Sequence, residues 1–323
     1  MKTAKISSEF FISPVRSVNQ PVFHPLLEEK NVFLTLKRED QIDADVSGNK
    51  FRKLKYNILQ AKKEGHSTLL TFGGAFSNHI AATAAAGKLE NLRTIGIIRG
   101  EELAIHLEKT MAVNPTLNFA KSNNMQLKFI SRSLYREKES SEFLKKLQDE
   151  FGDFYLLPEG GTNALAIKGC EEILTEEDHN YDYISCAVGT GGTLAGIINS
   201  SQKTQKTIGF PALKGDFLKN EIEKHTSKKN WHLETQYHFG GYGKINEALI
   251  EFINTFRSEQ KILLDPVYTA KMIYGIFDMI KQDVFKKNTR ILAIHTGGLQ
   301  GISGMNKRLF QKGMQTINTQ HEI

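Results

Sequence analysis

Short β-rich apolar runs alternate with stretches of helical periodicity along most of the chain. The strand-like runs are STLLTFGG (67–74), RTIGIIRG (93–100), QLKFISR (126–132), DFYLLPEGG (153–161), YDYISCAVG (181–189), KTIGFPAL (206–213), HLETQYHF (232–239) and RILAIHTGG (290–298). Between them lie helical candidates such as SNHIAATAAAGKL, SEFLKKLQDEF, NALAIKGCEEIL and INEALIEFINTF. In the last of these, Ile245, Leu249, Ile253 and Phe256 share one face. A further amphipathic stretch opens at Lys50, with Phe51, Leu54, Ile58 and Ala61 on one side. The alternation predicts an α/β fold, a parallel sheet covered by helices.

Four of the runs end in glycines, at 73–74, 160–161, 189–192 and 297–298. Ligands bind beyond the carboxyl ends of strands in open α/β sheets, so these ends suggest one convergent site. An eight-stranded barrel, which also gathers its site there, is the alternative architecture. No proline- or serine-rich linker appears. Two interleaved domains therefore fit better than two in tandem.

Composition narrows the picture. The 323 residues suffice for one large domain or two moderate ones, and 40% hydrophobic with 24% charged residues is ordinary for a soluble globular protein. No apolar run reaches the roughly 18 residues of a membrane span. The N-terminal MKTAKISSEFFISPVRSV lacks the continuous apolar core of a secretory signal. Only Cys170 and Cys186 are present, which argues against a disulfide framework and for a cytoplasmic home. The net charge of +6 is dispersed and interleaved with acids, without zinc-finger, helix-turn-helix or RNP-like signatures, so no nucleic-acid partner is expected.

Candidate chemistry then falls on five segments. Lys50 stands at the start of its helix, just after a predicted Asn49 cap, where the helix dipole disfavours an ammonium and lowers the lysine pKa. A neutral amine is what Schiff-base chemistry requires. By itself such a lysine is more simply a neighbour of a helix cap, and Lys53 and Lys55 read as solvated charges. GTGGTLAG, Gly189 to Gly196, follows a strand and opens a helix, so its N–H groups can approach a phosphate, with the Thr190 and Thr193 hydroxyls as further donors. The spacing is not that of a dinucleotide fold, and no Walker A sequence is present; a monophosphate cofactor is favoured. Ser77, Asn78 and His79 open another helix, whose N–H groups can hold a substrate carboxylate. Lone His79 has no partner at metal spacing, so no metal site is expected. Tyr268 and Thr269 begin a fourth element, and Thr296 ends a strand at the same rim. Each segment alone also reads as a cap or turn.

Together, GNKFRKL, GGAFSNH, PEGGTNALAIKG, AVGTGGTLAGI, LDPVYTAK and HTGG resemble the family of fold-type II pyridoxal-phosphate enzymes that contains 1-aminocyclopropane-1-carboxylate (ACC) deaminase and D-cysteine desulfhydrase. They occur in the family's order from roughly 48 to 298. The resemblance implies two open parallel-sheet domains with helices on both faces, like the β subunit of tryptophan synthase. A large domain would comprise 1–52 plus 158–323, and a small one would be inserted at 53–157. It implies pyridoxal 5'-phosphate on Lys50 as a Schiff base. Gly189, Thr190, Gly191, Gly192 and Thr193 would cradle the phosphate, with Asn78 at the ring hydroxyl and Thr296 at the ring nitrogen. Ser77, Asn78, His79, Tyr268 and Thr269 would face a small amino-acid substrate, and a homodimer is implied.

Two positions separate the branches of the family. The deaminases resemble VYEGK with a leucine before the final glycine pair; here Thr269 and Thr296 stand there, as in desulfhydrase-like members. A carboxylate at the pyridine nitrogen keeps it protonated and strongly electron-withdrawing, whereas a hydroxyl only hydrogen-bonds it. The expected reaction is therefore α,β-elimination, D-cysteine giving pyruvate, hydrogen sulfide and ammonia. Lys50 or Tyr268 would remove the α-proton, with Ser77 in the catalytic set. ACC deamination is the nearest alternative. A non-catalytic protein binding a phosphorylated ligand is the alternative from another class. The N-terminal approach to Lys50 fits the family loosely, and 239–252 resembles desulfhydrase-like chains without an assignable role.

Overall fold

The computed structural model describes residues 9–12 and 17–319, so most of the N-terminal stretch considered above as a secretory signal lies outside the described residues. Two compact units are present. The larger holds 17–42, 47–49 and 167–319; the smaller holds 43–46, 50–166 and, near the N-terminus, 9–12. The chain contributes β1 (Asn19–Val22) and β2 (Phe33–Lys37) to the larger unit. It then builds the smaller with β3 (Thr68–Gly74), β4 (Arg93–Arg99), β5 (Gln126–Ile130) and β6 (Tyr155–Leu157). It returns for β7 (Tyr183–Val188), β8 (Lys206–Pro211), β9 (Trp231–Leu233) and β10 (Arg290–Ile294). The helices that matter for the site are α1 (Asn49–Lys63), α2 (Asn78–Leu89), α3 (Gly192–Ser200), α4 (Glu247–Gln260) and α5 (Thr269–Lys281).

The larger sheet runs β1-β2-β10-β7-β8-β9, with β1 antiparallel and every other pairing parallel. Its strands alternate between two cores. Ile291 and Ala293 of β10 pack with the α4 and α5 side chains Leu249, Ile253, Ile273 and Ile276, whereas Leu292 and Ile294 pack with Leu194 and Ile198 of α3. Both faces are thus covered, as parallel pairing demands. Each fully buried Leu or Ile contributes roughly 1.5–3 kcal/mol. The smaller sheet, β5-β4-β3-β6, is all parallel and divided likewise: Ile95 and Ile97 face one core, Ile98 the other. These are two open sheets and not a barrel. Among the described residues no helix is long and apolar enough to cross a membrane.

All eight strand-like runs contain strand residues, but HLETQYHF keeps only its first two, 232–233, as the end of β9 (Trp231–Leu233). β9 is an edge strand with one neighbour, so nothing continues its ladder. α4 begins after Asn246, whose side chain accepts from Leu249 N at 3.0 Å; Ile245 therefore lies before the helix and not on its face.

The topology explains the glycine pairs. In the larger sheet the chain steps from β7 to β8 to β9, then crosses to β10 on the other side of β7. In the smaller it steps from β3 to β4 to β5, then crosses to β6 on the other side of β3. Such reversals open a crevice at the carboxyl ends of the two flanking strands. The pairs at 189–192 and 297–298 follow β7 and β10; those at 73–74 and 160–161 end β3 and follow β6. Each unit thus carries two glycine-rich ends side by side at its own switch point.

Candidate active site

In the smaller unit, Phe51, Leu54, Ile58 and Ala61 are buried and fix the face on which α1 packs. The helix begins at Asn49, so Lys50 lies in its first turn, one residue deeper than a cap at Asn49 would put it. Lys53 is not the solvated charge the sequence suggests. It is 2% exposed, and its Nζ donates to Gly160 O at 3.0 Å and Thr162 Oγ1 at 2.9 Å. A buried ammonium requires such acceptors, and here they come from the loop after β6.

At the start of α2, Ser77 is the N-cap and its Oγ accepts from Ile80 N at 3.4 Å. The Asn78 Oδ1 atom beside it is buried and makes no hydrogen bond. His79 is fully enclosed. Thr71 Oγ1 donates to Leu157 O at 3.0 Å, so at its 2.9 Å contact with His79 Nε2 the imidazole is the donor. Nδ1 then carries the lone pair, buried and without a partner. Burial, then the charges of Lys50 and Lys53, hold the His79 pKa well below its ordinary value. His79 therefore offers an acceptor, not a cation. Gly161, at φ +70°, is what lets the β6 loop lie on this ring: a Cβ there would stand 2.8 Å from His79 Cε1.

In the larger unit, Gly191 caps α3 in the left-handed region at φ +88°, without a side-chain cap, which leaves the first N–H groups of the helix open. A Cβ on Gly191 would come 2.9 Å from Ile222. Thr193 Oγ1 accepts from Asn49 Nδ2 at 2.8 Å, and Asn49 N donates to Thr296 O at 3.3 Å. Gly48, at φ +63°, passes so close to the Thr296 carbonyl that any Cβ would collide with it. Asn49, the residue before Lys50 in the chain, is thereby pinned to both the α3 start and the end of β10. A Cβ on Gly189 would meet the Tyr268 ring at 3.2 Å, so tyrosine and glycine turn are in contact.

Asp265, 1% exposed, accepts from Val267 N at 3.0 Å and Tyr268 N at 2.6 Å and so fixes the turn that presents Tyr268. Burial pushes its carboxyl up to about 7, against those N–H groups and Lys271. Thr269 spends its hydroxyl inside the same turn, accepting from Asp265 N at 2.8 Å and donating to Asp265 O at 3.4 Å. Lys271 is 2% exposed and donates to His238 O and Gly241 O, both at 2.9 Å; burial lowers its pKa to about 8. It clasps a turn in which Phe239, Gly240, Gly241 and Gly243 all have positive φ, and which carries Tyr242, edge-on to Tyr268 at 6.1 Å. Asp265, Lys271 and Tyr242 were not among the residues singled out from sequence. A lysine inside the apolar run AKMIYGIFDMI is the signal for one of them.

Each unit carries groups suited to one part of a ring cofactor bearing a single phosphate. The larger unit supplies an uncapped helix start, a glycine turn too tight for any Cβ, and threonine hydroxyls. The smaller supplies a primary amine at a helix start and an orphaned Asn78 oxygen. Residues 18–297 match the family described as "Pyridoxal-phosphate dependent enzyme". The chain belongs to this family and is a pyridoxal-phosphate dependent enzyme. Among its relatives it is 30% identical to a protein of Pyrococcus abyssi named provisionally as a 1-aminocyclopropane-1-carboxylate deaminase, over 85% of this chain and 87% of that one. It is 30% identical to the bifunctional D-cysteine desulfhydrase/1-aminocyclopropane-1-carboxylate deaminase of Arabidopsis thaliana, over 83% of this chain and 73% of that one. It is 27% identical to D-cysteine desulfhydrase of Salmonella newport, over 81% and 86%. A solved structure described as an ACC deaminase homologue superposes with a TM-score of 0.75 at 27% identity, covering 92% of this chain and 94% of that one. The enzyme thus falls in the ACC deaminase and D-cysteine desulfhydrase family.

Proposed function

We propose that this enzyme catalyses α,β-elimination on a small amino acid, D-cysteine being converted with water to pyruvate, hydrogen sulfide and ammonia. The observation that carries this reading is the pair of threonines. Thr269 is committed to its own turn, and Thr296, at the end of β10, makes no side-chain hydrogen bond among the described residues. Thr296 Oγ1 is the group we assign to the cofactor's ring nitrogen, in a neutral hydrogen bond. The Asp265 carboxylate of the same turn is already held by two backbone N–H groups. Departure of a thiolate from Cβ demands less of the cofactor than opening a cyclopropane that lacks a leaving group, which favours elimination over ACC deamination.

Pyridoxal phosphate, when bound, supplies the sink for the electron pair left on Cα as its proton departs. The residues do the rest. Lys50 Nζ would hold the cofactor and, once released from it, would take the substrate's α-proton. Gly189 to Thr193 hold the phosphate on open N–H groups and hydroxyls. Ser77 and the amides at the start of α2 hold the substrate carboxylate, and Asn78 meets the ring hydroxyl. Neutral His79 supports that turn from below. Tyr268, braced by Asp265, stands over the reacting carbon. We further propose a cytoplasmic homodimer.

Replacing Lys50 with Ala is expected to abolish the visible absorbance of the lysine-bound cofactor and to cut turnover by at least about 10²- to 10⁴-fold. Full activity with unchanged absorbance would remove Lys50 from the mechanism. Substrate is decided by scoring pyruvate and sulfide across D-cysteine, L-cysteine, β-chloro-D-alanine, D-serine and ACC. Release of 2-oxobutanoate from ACC at a rate exceeding sulfide release from D-cysteine would overturn the elimination reading.

A further inference from the structure

The smaller unit carries a second feature at the carboxyl ends of its strands. A cavity of about 430 Å³ opens there, within the size range of small-ligand sites, lined by Gly74, Arg99, Glu102, Arg132, Tyr135 and Arg136 among others. Gly74 and Arg99 end the adjacent strands β3 and β4, and Arg132 follows β5 by two residues. Two of these strand ends, those of β4 and β5, thus deliver three guanidinium groups to one concavity. Only Arg132 is matched, by Glu102 at 2.9 Å, in a pair exposed on both sides. Exposed pairs of this kind hold weakly and exchange readily with other anions. Arg99 and Arg136 have no carboxylate partner among the described residues.

Arg99 is held in place. Its guanidinium lies over the Tyr135 ring at 5.6 Å from the centroid, and its terminal nitrogen is 3.6 Å from where a Cβ on Gly74 would be. Tyr135, 3% exposed, is the aromatic floor beneath Arg99, and its buried hydroxyl faces the Glu159 carboxylate. Three guanidinium groups thus meet in one concavity with Glu102 as the carboxylate among its lining residues. Planar guanidinium forks match oxyanions in geometry and sign.

We infer that this cavity is an oxyanion site, taking the carboxylate or phosphate group of a small molecule between Arg99, Arg132 and Arg136. None of these arginines belongs to the motifs that carry the family resemblance. Its floor is also the start of the turn that leads to Ser77: Ser77 N donates to Gly74 O at 3.0 Å, and Asn114 Nδ2 to Ala75 O at 2.9 Å. The inference does not depend on which amino acid the enzyme consumes.

Titration calorimetry on the cofactor-saturated enzyme tests it, with inorganic phosphate and malonate as separate probes at low ionic strength. Saturable binding of one anion per chain is expected, weakened at least tenfold in Arg99→Met and in Arg136→Met. Both side chains are exposed, so the variants should keep the parent's thermal midpoint, which a melting curve checks. Preference for phosphate identifies a phosphorylated ligand; preference for malonate identifies a carboxylate. No saturable binding up to about 10 mM, or binding unchanged in both variants, would overturn the assignment; the second result would send the anion elsewhere on the chain.

Discussion

His79 lies under the start of α2 with its Nε2 proton committed to Thr71, in a pocket where Lys50 and Lys53 oppose any further positive charge. Its folded pKa is depressed, so the neutral ring contributes stability that is complete above the unfolded value near 6.5 and is lost as pH falls below it. His79→Gln is therefore expected to narrow the difference in thermal midpoint between pH 7.5 and pH 5.5. An unchanged difference would mean that the imidazole charges freely in the folded state. The motif resemblance set His79 among the substrate-facing residues but left its tautomer and charge undetermined. The misread residue is Lys53. Its acceptors are 107 and 109 residues away in the chain, and no local pattern announces a partner at that distance. Thr269 teaches the same lesson on a smaller scale, since a hydroxyl four residues from Asp265 closes a turn that the motif reads as a substrate contact.

Among elements, α3 and α5 carry the most consequence. The Gly191 position combines φ +88° with a 2.9 Å approach of any Cβ to Ile222, so Gly191→Ala must shift either the turn or the Ile222 side chain. Cofactor titration of this variant should show at least a tenfold loss of pyridoxal-phosphate affinity, with secondary structure by circular dichroism retained. In α5, Lys271 holds a turn with four positive-φ residues by two carbonyls alone. Hydrogen bonds from charged donors are each worth roughly 1.5–3 kcal/mol. Lys271→Met should thus lower the thermal midpoint and open 238–243 to limited proteolysis; resistance equal to the parent's would show that the clasp is dispensable. The strands with strong β-branched or aromatic runs were legible in advance. β1 and β2 were not: β1 is four residues interrupted by Pro21 on a sheet edge, and β2 is five residues whose membership depends on β10. Pattern reveals an element's own preference, and these two borrow theirs from a distant partner.

At the level of the whole molecule, the β–α alternation and the glycine-ended strands were enough to foresee parallel sheets whose carboxyl ends carry the chemistry. What they could not give was the arrangement of strands within each sheet, because periodicity says nothing of neighbours. The order β2-β10-β7 places Phe33–Lys37 beside Arg290–Ile294. That single pairing governs how the protein is made. On the ribosome, β2 emerges about 250 residues before its parallel partner β10, whereas every strand of the smaller sheet is available once residue 157 has emerged. Nascent chains arrested just before residue 290 should accordingly show protease protection confined to fragments from 50–166, with fragments from the larger sheet gaining it only after residues 290–294 have emerged. Equal protection of both at that arrest point would mean that the larger sheet forms without its central strand. Because Asn49 draws its partners from Thr193 and the Thr296 carbonyl, the seat before the amine-bearing residue is complete only once residue 296 has emerged.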